Sequence, residues 1–142
     1  MIKDFCTESG VKNVLFIPYA GVSMGYDNYE TKVANVFKGL GLNLYSIHKE
    51  KDAKKAVQEA ECIAVGGGNT FHLVYELYRN GIMELISQRA SEGVAYMGWS
   101  AGSNVAGLSL KTTNDMPIIE PESFDCMKLV PFQINPHYTD FF

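Results

Sequence analysis

A doubly wound α/β fold on a mostly parallel sheet is predicted by three observations. Short apolar runs alternate with segments of helical period along most of the chain. Two of those runs end in glycine-containing turns that open helices, the place where a parallel sheet carries its sites. No repeat, linker or low-complexity tract breaks the alternation, so residues 1–142 are expected to form one domain.

The elements follow in order. Val14 to Ile17 reads as a strand, Tyr26 to Lys38 as a helix, Leu42 to Ile47 as a strand, Ala53 to Ala60 as a helix and Cys62 to Val65 as a strand, which together give βαβαβ. A helix from Thr70 to Arg79 puts Phe71, Val74, Leu77 and Tyr78 on one face, and another from Ile82 to Ala90 pairs Leu85 with Ile86. Val94 to Met97 is a short buried strand, followed by a serine turn and a helix starting near Ala101. Farther on, the apolar run Leu129 to Ile134 is expected to be a strand whose end presents His137, with Pro131 and Pro136 stiffening the approach.

Composition narrows the partners. The formal net charge of -4 argues against nucleic acid or an anionic membrane, which reward clustered Lys and Arg. The run Lys49 to Lys55 contains Glu50 and Asp52 and reads as a solvated loop and helix start. No apolar run approaches the roughly 18 to 20 residues of a membrane span, and no charged segment followed by an apolar one opens the chain, so a soluble cytoplasmic protein is expected. Cys6, Cys62 and Cys126 are far apart and include no C-x-x-C pair. Cys62 lies in an apolar run as core filling, and neither metal nor cofactor is expected.

Tyr96-Met97-Gly98-Trp99-Ser100-Ala101-Gly102-Ser103 has the layout of a nucleophile elbow, with a serine between two glycines at a strand-to-helix reversal. Gly66-Gly67-Gly68-Asn69-Thr70 follows another strand and opens a helix, so its backbone N–H groups suit an anion. Its spacing fits neither a dinucleotide fingerprint nor a P-loop. Beside a serine elbow, an oxyanion hole made with the Ala101 N–H is the better reading. Of three histidines, His48 and His72 read as surface or packing residues, whereas His137 falls at the sheet edge that carries Ser100. Asp115, Glu120, Glu122, Asp125 and Asp140 are the downstream carboxylates available to orient the base, and Asp115 sits in a polar loop before a proline, equally the setting of an ordinary turn former.

GGGNTF at 66–71, GWSAGSN at 98–104, TTNDMPI at 112–118 and INPHYTD at 134–140 together resemble the peptidase E family, from about the FIPYAG segment at 16–21 onward. These α-aspartyl dipeptidases are serine peptidases related to cyanophycinase, on a fold similar to class I glutamine amidotransferases. The resemblance implies Ser100 as nucleophile, His137 as base and acid, Asp115 as third triad member, and Gly67, Gly68, Asn69 and Ala101 around the oxyanion and substrate. Some relatives give the third role to a glutamate farther downstream. The implied substrate is a dipeptide with an N-terminal aspartate, hydrolysed through an acyl-enzyme without metal.

The family pattern also has a strand before the one at 14–17 and a basic segment and strands after INPHYTD. The fold is therefore expected to be shortened at both ends, with a homo-oligomer or a complementing chain supplying the rest. Asp140-Phe141-Phe142 reads either as a docked tail or as a fold that continues. Two other functions stay open, a cyanophycinase-like serine hydrolase and a weak or silent chain acting as a binding or regulatory subunit.

Overall fold

The structure, a computed structural model, describes residues 1–137. Four strands, β1 (Asn13–Ile17), β2 (Asn43–Ser46), β3 (Cys62–Val65) and β4 (Ala95–Gly98), form one parallel sheet in the order β2-β1-β3-β4. Leu15 pairs with Ile63, and Ile63 with Tyr96, so the strands after which the two glycine turns occur lie side by side. Both turns therefore leave the same end of the sheet.

Alternation of side chains across each strand sends Val14, Phe16, Cys62 and Ala64 to one face, where they meet Cys6 of α1 (Ile2–Ser9) and Val33 and Phe37 of α2 (Tyr26–Gly39). Leu15, Ile17, Ile63 and Val65 go to the other, against Val57 of α3 (Ala53–Glu59), Leu73, Val74 and Leu77 of α4 (Thr70–Arg79) and Ile86 of α5 (Met83–Ser91). A strand buried on both faces reads as a continuous apolar run, and β1 and β3 do. In α4 the fully buried stripe is Leu73, Val74 and Leu77, with Phe71 and Tyr78 half-buried on its flanks. All three cysteines are buried free thiols, and burial pushes Cys62 and Cys126 up to about 12.

Four segments differ from expectation, the first being β4, expected as a buried strand over Val94 to Met97 but only half-buried over Ala95–Gly98. α1 lies outside the predicted elements, since eight residues barely show a stripe; its end is marked by Gly10 at φ 71°, where Val11 N–H donates to Cys6 O (2.9 Å). The strand expected through Ile47 stops at Ser46 and becomes a 3-10 turn over Ile47–Lys49. There the Ser46 hydroxyl meets His48 Nδ1, a local bond that competes with the ladder, and His48 Nε2 meets Asp27 Oδ1 of α2 at 2.7 Å. Leu129 to Ile134 is not a strand. Its start bonds to the turn after α6 (Ala101–Asn104), Leu129 N–H donating to Ala106 O (2.9 Å), and Pro131 can give no ladder donor. The expected tail at 138–142 lies outside the described residues.

Glu61 fixes where β1 begins. Its carboxylate accepts from the Asn13 and Lys12 N–H groups, and those bonds, Asn13's first, hold it below the ordinary carboxylate range. A depressed folded value contributes stability above the unfolded carboxyl pKa and loses it as pH falls through the folded one. Glu61→Gln is expected to lower the thermal unfolding midpoint at neutral pH, with the gap to the parent protein closing as pH drops below about 4. A gap that stays constant with pH would assign the effect to packing instead.

Candidate active site

β4 runs into Ser100 and reverses into α6. Ser100 takes φ 54° and ψ -114°, a conformation that costs a non-glycine residue on the order of 1–3 kcal/mol and persists only when its surroundings impose it. The surroundings are two backbone approaches. A Cβ on Gly98 would lie 2.4 Å from Gly102 O, and one on Gly102 would lie 2.0 Å from Val65 O. Side chains then tie the turn: Tyr96 OH donates to Gly102 O (2.6 Å) and Ser103 Oγ to Gly98 O (2.9 Å). Burial raises the Tyr96 hydroxyl far above its ordinary range, keeping it a donor.

The Gly66–Asn69 turn leaves β3 beside this elbow. A Cβ on Gly67 would sit 2.8 Å from Ser100 Cβ, so the turn lies directly against Ser100. Gly68, at φ 139°, packs so close to Ala20 O that a Cβ would lie 2.0 Å from it. Asn69 N–H donates to Ala20 O (2.8 Å), whereas the N–H groups of Gly68 and Ala101 have no acceptor among the described residues. Unpaired backbone donors beside a serine are what an oxyanion hole requires. Beyond the turn, a cavity of about 460 Å³ opens, walled by Met24, Tyr29, Val33, Phe37 and Trp99.

His137 reaches the same place. Its Nε2 lies 2.9 Å from Ser100 Oγ, within the range of a nucleophile–base hydrogen bond, and the imidazole is exposed at φ 60°. With Nε2 unprotonated, the Ser100 hydroxyl donates to it. Two residues that the motif reading left without a role dock the segment: Asn104 Nδ2, fully buried, donates to Ile134 O (2.7 Å), and the Thr112 hydroxyl donates to the same carbonyl. Their signal was their place inside the GWSAGSN and TTNDMPI runs.

Two assigned residues do different work. Asp115 is not bonded to the imidazole; its Oδ2 accepts from Thr70 N–H (2.8 Å) and Thr70 Oγ1 (2.6 Å) at the start of α4. A carboxylate there satisfies an otherwise orphaned helix donor and suits the N-terminal end of the helix. Among the described residues no carboxylate bonds His137. Asn69 is likewise engaged within the protein, its Oδ1 accepting from His72 N–H (3.1 Å) as the α4 cap and its Nδ2 donating to Met116 O (2.7 Å). Segment 113–116 thus straps the glycine turn from outside. His72 Nδ1 meets Tyr19 O at 2.7 Å, and His48 is held by Asp27, so both are packing residues.

The chain is similar to known proteins over nearly its whole length. Over 130 residues the chain is 55% identical to Peptidase E of Shewanella amazonensis (strain ATCC BAA-1098 / SB2B), covering 92% of this chain and 55% of that protein. It is 55% identical over 140 residues to Peptidase E of Shewanella sp. (strain W3-18-1), covering 99% and 58%. The chain therefore spans little more than half the length of these curated relatives. A crystal structure of a candidate peptidase E protein from Listeria monocytogenes EGD-e superposes with a TM-score of 0.75 at 30% identity, over 92% of this chain and 69% of that one. No helix among the described residues is long and apolar enough to cross a membrane. The model of Peptidase family S51 matches residues 1–141, a span that takes in the elbow, the glycine turn and the histidine segment, and the chain belongs to that family.

Proposed function

We propose that this chain carries the nucleophile, base and oxyanion hole of a cytoplasmic serine dipeptidase that cleaves after an N-terminal aspartate. The observation that carries the reading is the 2.9 Å approach of His137 Nε2 to Ser100 Oγ on a strained elbow. The aspartate preference is supported by the relatives named Peptidase E and by the four ordered motifs. Free buried thiols fit a reducing compartment.

Chemistry follows from the positions. Ser100 Oγ attacks the carbonyl carbon of the Asp-X bond while its proton passes to His137 Nε2. The N–H groups of Gly68 and Ala101 stabilise the oxyanion as it forms. Protonated His137 then gives its proton to the leaving amine, leaving an aspartyl ester on Ser100. A water that loses its proton to His137 attacks this ester, and collapse returns the proton to Ser100 and frees aspartate.

Selectivity is the expected signature. A site that pairs the substrate carboxylate rejects the uncharged amide by leaving its own polar groups unpaired, a discrimination on the order of 10⁴-fold. Steady-state release of a chromophore from Asp- and Asn-anilides measures it. Preference for Asp supports the reading, and equal rates would indicate a broader hydrolase on the same frame.

A further inference from the structure

We propose that Tyr29, on α2 and 71 positions before the nucleophile, is a positioning residue that sets the orientation of the oxyanion peptide Gly67–Gly68. The proposal rests on the reading of Ser100 as nucleophile. Tyr29 is buried, and its hydroxyl donates to Gly67 O at 3.1 Å. Trp99 Nε1 in turn donates to the Tyr29 oxygen at 3.2 Å, so the residue next to the nucleophile and the turn opposite it are joined through one phenol.

The ring has a place made for it. It packs edge-on to Phe16, centroids 5.0 Å apart at 81°, and Phe16 stacks on Trp99. A Cβ on Gly66 would fall 2.5 Å from the Tyr29 hydroxyl oxygen, and a Cβ on Gly21 would fall 2.3 Å from Cδ2. Glycine at both positions is therefore a condition for Tyr29 to reach the turn.

The consequence for the site comes from the plane of the peptide. In a trans peptide the N–H points opposite to the preceding C=O. Tyr29 holds the Gly67 carbonyl toward the α2 side, which turns the Gly68 N–H away from it, and this is the N–H that has no acceptor among the described residues. Glycine flanks this peptide on both sides, so its own torsions restrain it little, and a flip would present a carbonyl where the oxyanion forms. The phenol bond opposes that flip. Asp115 and Asn69 brace the far end of the turn but do not touch the Gly67 carbonyl.

Tyr29→Phe removes the hydroxyl and keeps the ring. Two readouts on the full chain test it: kcat and KM on the Asp-anilide, and the second-order rate at which an alkyl fluorophosphonate modifies Ser100, where Oγ bonds phosphorus, fluoride leaves and the phosphoryl oxygen enters the oxyanion hole. The expected result is a fall of roughly 10-fold or more in kcat and in labelling rate, with KM little changed and the far-UV spectrum native. Labelling and turnover at the parental rate overturn the proposal while leaving the nucleophile reading intact. Absence of Ser100 labelling in the parent protein overturns both. A rise in KM alone assigns Tyr29 to the cavity wall and also overturns it.

Discussion

Turnover of an Asp-anilide falls by about 10³-fold or more when either Ser100 or His137 is replaced by alanine, and the double variant is no slower than either single one. The reason is that the two atoms act as one unit. Without His137 the Ser100 hydroxyl has no acceptor for its proton among the described residues, and without Ser100 the imidazole has no nucleophile to activate. Steady-state rates of the three variants at equal concentration measure the effect. Additive losses would show that His137 acts independently of Ser100, which the 2.9 Å contact contradicts. Asp115→Asn behaves differently in this account, because its carboxylate holds Thr70 rather than the imidazole.

Gly102→Ala is expected to cost about 3 kcal/mol or more of folding stability, at the severe end for a single substitution. Its Cβ would lie 2.0 Å from the backbone oxygen of Val65 and 2.8 Å from its carbonyl carbon, at a buried position of α6 packed against the end of β3. Neither backbone can move without displacing a sheet ladder or the elbow. Gly39→Ala is the control, since nothing lies within 4 Å of a Cβ there and the residue ends α2. That change is expected to be neutral or to stabilise by about 0.5–1 kcal/mol. Urea denaturation at unchanged slope separates the two, and similar midpoints for both variants would refute the close-approach argument.

Most of the sheet was legible because buried parallel strands write themselves as unbroken apolar runs. Cys62–Val65 was read to the residue, and Asn13–Ile17 within one. What failed was decided by partners that no local window contains. The stretch Leu129–Ile134 is as apolar as a strand, yet its start bonds to the loop after α6 and Pro131 withholds a donor. Ile47 left β2 because His48 reaches Asp27, 21 positions away.

The candidate site shows the same division. Ser100, Gly68 and Ala101 are marked in the sequence by turn residues at fixed spacing, whereas the expectation for His137 rests on the family resemblance and on a strand over Leu129 to Ile134 that the structure does not have. Asp115 enters the triad through the family resemblance and the agreeing chain order Ser, Asp, His, neither of which says which donor a carboxylate finds first. Thr70 N–H, an orphan at the head of α4, takes it. Tyr29 gave no signal in its own helix, where an aromatic residue on the buried face is indistinguishable from core. Its role becomes visible only once the carbonyl of Gly67 is seen to need a donor.

The central claim is that Ser100, activated by His137, is the nucleophile, and covalent trapping tests it without depending on any peptide substrate. The chain is incubated with an alkyl fluorophosphonate, and the intact mass and the modified peptide are determined. The account predicts a single adduct on Ser100, absent in Ser100→Ala and formed at least about 10²-fold more slowly in His137→Ala. An adduct on another residue, or equal labelling with and without His137, would contradict it.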